Sequence, residues 1–238
     1  MELSAALLEL AAERSRNTVG GMLGGIVHNL NNPVHALAMQ AELLQNALGR
    51  EGLDTERPKL QEKCTRLQRL AQELRIQLET LAWRDIYVSP ERQLIDPVHY
   101  GSWLLQFWQG NLLFKHSISP TFISEPQPPH VQAIPLGLTW CLEEPLSALV
   151  RAMQSAGFEG MVDLVLECGP VSDSDLAIRM ATHPPRESTA AIHGEIRHLR
   201  ELQEMTTGLG WSWEAFLEQG ELAVRVVIPG KKPEQRGD

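Results

Sequence analysis

Leu23-Gly-Gly-Ile-Val-His28-Asn29-Leu30-Asn31-Asn32-Pro33-Val34-His35-Ala36-Leu37, with its continuation to Leu48, is the stretch that decides how this chain folds. Its apolar residues Val27, Leu30, Val34, Leu37, Ala41, Leu44 and Leu48 recur at alternating steps of three and four. That is an a/d heptad seam, and it predicts a helix packed in a coiled coil or bundle. His28 lies one residue past Val27, so it turns away from the seam toward water. Pro33 removes one backbone donor and crowds the carbonyl of Asn29, which predicts a bend or loosening just after His28. Gly20, Gly21, Gly24 and Gly25 precede the histidine. Each glycine costs about 0.5–1 kcal/mol of helix stability. Two readings of them stay open, close approach of another helix or a flexible segment beside the histidine.

Working outward, residues 3–48 read as one long helix, ended by the turn Gly49-Arg50-Glu51-Gly52. Asp54 or Thr55 offers an N-cap for a second helix, with Pro58 in its first turn. There Leu60, Leu67, Leu74 and Leu81 repeat every seventh residue, flanked by Cys64, Leu70, Ala71 and Leu78, to about Asp85. Two helices joined by a short loop lie antiparallel, and one hairpin cannot bury two apolar stripes. A homodimer completing a four-helix bundle is the expected solution. The charges on this helix (Lys59, Lys63, Arg66, Arg69 and Arg75 against Glu62, Glu73 and Glu79) are mixed in sign and read as a solvated face.

Composition narrows the partners. The chain has 238 residues, 43% of them hydrophobic, and a formal net charge of −9, which argues against a nucleic-acid surface. No apolar run approaches the roughly 20 residues of a membrane span, and the first residues lack the basic start of a signal peptide. Cys64, Cys141 and Cys168 are too scattered for a disulfide framework or a zinc site. The chain reads as cytoplasmic.

Ser89-Pro90-Glu91 marks a boundary, after which the rhythm changes. Asp96-Pro97 predicts a capped helix through Trp103, Leu104, Phe107 and Trp108 to about Phe114. Strands are expected at Thr121–Ser124, Met161–Glu167 and Leu176–Met180, the last two paired as a hairpin. Pro126–Pro129 is a loop, and helices are expected at Gly137–Ala156 and Ile192–Met205. Trp211–Leu217 and Leu222–Ile228, joined at Gly220, read as a closing hairpin. Gly208-Leu209-Gly210 reads as a helix C-cap turn rather than a phosphate loop. The organisation is therefore 1–88, a helical hairpin; 91–230, an α/β sandwich; and 231–238, a charged, disordered tail.

His28-Asn29-Leu30-Asn31-Asn32-Pro33 resembles the H-box of sensor histidine kinases. In that family the histidine carries a phosphoryl group on a hairpin that dimerises into a four-helix bundle. The order of elements after Ser89 is similar to the family's ATP-binding domain. Leu138–Ala156 resembles the helix of its N-box, Leu176–Pro185 the strand leading into its Asp-x-Gly-x-Gly box, and Gly220–Pro229 its final strand. The resemblance thus implies an α+β chain, a dimeric hairpin followed by an ATPase-like sandwich, with no membrane sensor of its own.

The chain departs from the family where nucleotide is handled. Arg151 stands where the N-box asparagine holds Mg²⁺, with Ser147 one turn earlier. Thr182 replaces the aspartate that reads adenine, Pro184 and Arg186 replace the two glycines, and the glycine-rich lid is missing between Pro184 and Ala190. Phosphoryl transfer from ATP needs a metal and donors around the phosphates, so no autokinase activity is expected. In the H-box, Asn29 replaces the carboxylate that serves as general base. Asn32, one turn from His28, matches the amide that orients the phosphoryl group or a water during exchange with a receiver domain.

The resemblance therefore implies a histidine phosphotransferase. His28 would be the nucleophile, Asn29 and Asn32 its neighbours in the site, and receiver domains of response regulators the partners. It implies no cofactor or metal of the chain's own, since the receiver brings Mg²⁺. Two alternatives stay open, a non-catalytic pseudokinase scaffold and an active kinase with divergent boxes. His35 lies seven residues, about 10 Å, beyond His28, and reads as a surface or docking residue. His99, His116, His130, His183, His193 and His198 show no ligand spacing, and the tryptophans read as packing.

Overall fold

The computed structural model describes residues 5–48, 53–184, 192, 200–218 and 220–230. Two long helices come first, α1 (Ala5–Leu48) and α2 (Leu53–Tyr87), packed side by side. The heptad repeats explain both. Helix α1 runs without interruption through Pro33, so the expected loosening after His28 does not break it. Pro33 falls on the buried side of the helix. Helix α2 begins at Leu53, before the expected cap, which puts Pro58 in its second turn. The turn at residues 49–52 and the first two residues of the expected 3–48 helix lie outside the described residues.

Asp96 caps α3 (Pro97–Trp108) as its sequence predicts, its carboxylate accepting from the Val98 and His99 amides at 2.9 and 3.2 Å. The helix does not reach Phe114. Gly110 interrupts it and Asn111 caps a separate short helix, α4 (Leu112–Ser117), accepting from the Phe114 amide at 2.9 Å. A small antiparallel pair, β1 (Gln93–Ile95) with β3 (Val131–Ala133), was not signalled by the sequence. The main sheet has the order β2-β4-β5-β7-β6. It contains β2 (Ile118–Ser124), β4 (Val162–Pro170), β5 (Leu176–Thr182), β6 (Ser212–Glu218) and β7 (Glu221–Ile228). The β2–β4 pair is parallel and every other pair antiparallel, so the sheet is mixed and the fold is α+β.

One face of this sheet is the core wall, with Leu164, Leu166, Ile178, Met180, Val224 and Val226 all buried. Helix α5 (Pro135–Ser155) and α3 supply the opposing side chains, among them Leu142, Leu146, Leu149, Trp108 and Trp103. On the other face Arg179 reaches Glu167 at 3.1 Å and Glu221 on the next strand. Helix α6 (Arg200–Leu209) extends four residues past the expected Met205. It ends in a Schellman turn, with Gly210 at φ +73° and the Trp211 amide donating to the Thr206 carbonyl at 2.8 Å. The Gly208–Gly210 segment is thus a C-cap, and Gly220, at φ +86°, makes the β6–β7 turn. The expected missing lid, Arg186, residues 193–199 of the expected Ile192–Met205 helix and the 231–238 tail lie outside the described residues.

Helix α1 is longer than a hairpin partner for α2 requires. Its N-terminal half lies along α5, with Ala11, Ser15 and Met22 buried. There Arg84 of α2, 6% exposed, forms a two-pronged ion pair with Glu143 of α5, 2% exposed. The Nη2 that bonds Glu143 Oε2 also donates to Ser15 Oγ of α1 at 2.6 Å, and the guanidinium lies 4.5 Å from the Phe107 ring centroid. Burial pushes the Glu143 carboxyl up, and the Arg84 guanidinium pulls it back down.

Candidate functional site

The helical repeat sorts α1 into three faces, set about 100° apart by the 3.6-residue turn. Ala11, Ser15, Met22, Gly25, Pro33, Gln40 and Ala47 face the rest of the protomer and are buried. Val27, Val34 and Leu48 lie on the second face and are 46–54% exposed, although they belong to the heptad seam. Leu30, Leu37 and Leu44 straddle the two and are half-buried. The third face carries His28, Asn32 and His35, all exposed, and continues into Met39 and Leu43 at 51% and 42% exposure.

Within that third face the Asn32 side-chain amide lies 3.2 Å from His28 Nε2, a hydrogen-bonding distance. No other hydrogen bond to the ring is recorded among the described residues. The site is therefore an exposed imidazole with the uncharged Asn32 amide beside Nε2, one turn away.

Asn29 is placed differently. Its amide nitrogen donates to the Gln109 carbonyl at 2.9 Å, and its oxygen accepts from Lys115 Nζ at 2.7 Å. It ties α1 to the α3–α4 turn, and among the described residues no hydrogen bond joins it to the His28 ring. The close approach needed for this depends on Gly25, since a Cβ there would sit 2.0 Å from the Gly110 carbonyl oxygen. Gly20, Gly21 and Gly24 have open space beside them. The close-approach reading therefore holds for Gly25 alone. Beside the Asn29 contact a cavity of about 230 Å³ opens between α1, α2 and the α3–α4 turn.

The residues aligned with the nucleotide boxes have other partners. Ser147 and Arg151, with Glu144, look across a cleft of about 280 Å³ onto Arg14, Asn17 and Thr18 of α1. Arg151 lies 3.5 Å from Glu144. Thr182 is buried, its hydroxyl donating to the Asp163 carbonyl at 2.7 Å, and Pro184 is buried after it. Among the described residues no cluster of His, Cys, Asp and Glu is suited to a metal. His99 is hydrogen-bonded to Tyr87 at 2.5 Å, and His130 sits 4.0 Å from Asp96. Trp103, Trp108, Trp140, Trp211 and Trp213 are core residues. No described helix is long and apolar enough to cross a membrane.

Sequence reasoning missed Lys115, Gln109 and the Arg84–Glu143 pair. The only hint was Asn29 itself, an amide beside a histidine with no nearby partner in the chain.

No protein-family model and no curated protein sequence matches the chain. Among solved structures, the chain is similar to histidine kinases. One is from Burkholderia phymatum, at 13% identity and a TM-score of 0.47, covering 93% of this chain and 98% of that one. Another is the histidine kinase AdeS of Acinetobacter baumannii, at 12% identity and a TM-score of 0.43, covering 86% and 98%. A third is described as a bacterial phosphotransferase, at 12% identity and a TM-score of 0.40, covering 95% and 98%. At such scores the likenesses assign neither family nor function, and the case for a function stands on the residues around His28.

Proposed function

We propose that this protein is a histidine phosphotransferase of two-component signalling, exchanging phosphoryl groups between His28 and receiver domains of response regulators in the cytoplasm. Residues 1–88 act as the phosphotransfer hairpin and pair with a second copy, and residues 91–230 form a supporting domain without ATP chemistry. The observation that carries this reading is the exposed His28 imidazole with the Asn32 amide 3.2 Å from Nε2.

In the forward direction the Nε2 lone pair attacks the phosphorus of an aspartyl phosphate. The bond from phosphorus to the aspartate oxygen breaks, and the carboxylate leaves with the electron pair. Asn32 swings from the lone pair to donate to a phosphoryl oxygen, adding no negative charge. The receiver brings the Mg²⁺ that this transfer needs. Below the site, Met39 and Leu43 provide an apolar continuation of the same helix face, suited to a docked partner.

Mg-ATP does not fit the residues present. Arg151 brings a cation where the metal would sit, and the Thr182 hydroxyl is committed to the Asp163 carbonyl. Pro184 cannot offer an amide hydrogen. Asn29, held by Lys115 and Gln109, does not act as a base on His28.

The test is labelling. The protein should take label from a phosphorylated receiver domain with Mg²⁺ and none from labelled Mg-ATP. His28→Ala should abolish the labelling and His35→Ala should leave most of it. Label arriving from ATP would favour an active kinase. Receivers that bind without ever transferring label would favour a binding scaffold.

A further inference from the structure

The turn of α1 that carries His28 is built from poor helix formers. Gly20, Gly21, Gly24 and Gly25 precede the histidine, and Pro33 follows it by five residues. Pro33 has no N–H, so the Asn29 carbonyl one turn earlier lacks its usual helical donor. Helix α1 is nevertheless continuous from Ala5 to Leu48. The residue that loses a helical bond is also the one held from outside. Its side-chain nitrogen donates to the Gln109 carbonyl at 2.9 Å, and its side-chain oxygen accepts from Lys115 Nζ at 2.7 Å.

Packing acts on the same side of the helix. Gly25, Asn29 and Pro33 follow one another at steps of four and share the face turned to the α/β sandwich, where Gly25 and Pro33 are buried. The approach is close in both directions. A Cβ on Gly25 would meet the Gly110 carbonyl oxygen at 2.0 Å, and a Cβ on Gly110 would meet Ile26 Cγ1 at 2.8 Å. Contacts this tight fix the rotation of α1 about its own axis. His28 lies one residue, about 100° of rotation, before Asn29. The rotation that seats Asn29 therefore also sets where the imidazole points, which is into solvent beside the Asn32 amide.

We propose that Lys115 and Gln109 are positioning residues for phosphoryl exchange at His28. They hold Asn29 where Pro33 withdraws the helical bond, and so keep the His28 turn ordered and facing outward. The proposal rests on the reading of His28 as the phosphoryl acceptor and gives residues 91–230 a part in that reaction. The sandwich acts through α1 and not on the phosphoryl group. An acceptor whose orientation wanders loses rate rather than affinity, because the docked receiver must meet the nitrogen in line.

The test is single-turnover transfer from a phosphorylated receiver to the full chain, over a range of receiver concentrations. Asn29→Ala removes both bonds and should lower the maximal rate about tenfold, with the half-saturating concentration changed by less than about twofold. Lys115→Met should lower the rate several-fold, and Lys115→Arg, which keeps a donor, should recover most of it. Pro33→Ala returns an N–H to the Asn29 carbonyl, so Asn29→Ala/Pro33→Ala should transfer faster than Asn29→Ala alone. Amide hydrogen exchange needs no phosphoryl donor. It should speed up roughly tenfold at residues 30–32 in Asn29→Ala and slow again in the double variant, with residues 40–47 unchanged. A wild type that takes no label overturns the phosphotransferase reading, whereas unaltered exchange at 30–32 in Asn29→Ala overturns the clamp, so the two failures are separate. The proposal also falls if the loss in Asn29→Ala lies in the half-saturating concentration, or if Pro33→Ala recovers nothing.

Discussion

Asn29, next to His28, is held by Lys115 and Gln109. In the resembled H-box a carboxylate at this position serves the histidine as a base, and restoring it by Asn29→Asp looks like the way to recover ATP chemistry. The geometry argues otherwise. Lys115 already lies 2.7 Å from the side-chain oxygen, so an aspartate here would form an ion pair with Lys115 rather than turn to the imidazole. It would also lose the bond donated to the Gln109 carbonyl. Asn29→Asp is therefore expected to give no label from Mg-ATP while keeping most of the transfer from a phosphorylated receiver. Appreciable ATP labelling in this variant would mean that Lys115 does not control the position. The chain's sequence made His28 and Asn32 legible because they lie one turn apart on one helix. It could not reveal the partners of Asn29, because Lys115 is 86 residues away and only the folded α3–α4 turn brings it near.

At the scale of elements, α1 and α2 were legible because their apolar residues repeat with helical period over many turns, a signal that accumulates with length. The three-residue strands β1 and β3 carry no such signal. The expected single helix from Asp96 to Phe114 failed for a related reason. Apolar residues continue at helical spacing past Trp108, and Gln109-Gly110-Asn111 is only a three-residue interruption, yet a side-chain cap at Asn111 suffices to start a new helix. The glycines before His28 were ambiguous in sequence because contact, not conformation, separates them. Two neighbours should consequently answer the same substitution with opposite sign. Gly24→Ala enters open space and should stabilise the fold by about 0.5–1 kcal/mol through helix propensity. Gly25→Ala places a methyl 2.0 Å from the Gly110 carbonyl oxygen, which is backbone and cannot simply swing aside. A net loss of about 1–3 kcal/mol is expected there, as for other overpacked sites. Urea denaturation of the two variants reads the difference directly, and equal shifts would remove Gly25 as the contact that seats α1 on the α3–α4 turn.

At the scale of the whole molecule, two interfaces organise the protomer, one left uncovered and one closed. Val34 and Leu78, 46% and 52% exposed, lie on the heptad stripes left uncovered in a single chain. Val34→Glu with Leu78→Glu should therefore dissociate a homodimer without unfolding the hairpin, a cleaner test than the half-buried Leu67 and Leu74. Sedimentation showing an unchanged dimer, or a monomeric wild type, would remove the four-helix bundle. The closed interface is the one that sequence could not show, since Arg84 sits among a mixed set of charges on α2 and resembles its solvated neighbours. Folding instead places it between α1, α2 and α5, with Glu143 as its counter-ion and Ser15 and Phe107 around it. Taking both charges out of water is expensive, so the pair adds less to stability than its geometry suggests, while either charge alone in that position is very costly. Arg84→Met and Glu143→Leu should each destabilise by about 3–5 kcal/mol, because each leaves its partner buried and unmatched. The double variant Arg84→Met/Glu143→Leu should be more stable than either single one, since the cost of an orphan charge disappears with the second substitution. Urea denaturation of the four proteins closes the cycle. If the two single losses simply add in the double variant, the charges are not coupled, and the attachment of the hairpin to the α/β sandwich must rest on apolar packing between α1 and α5 instead.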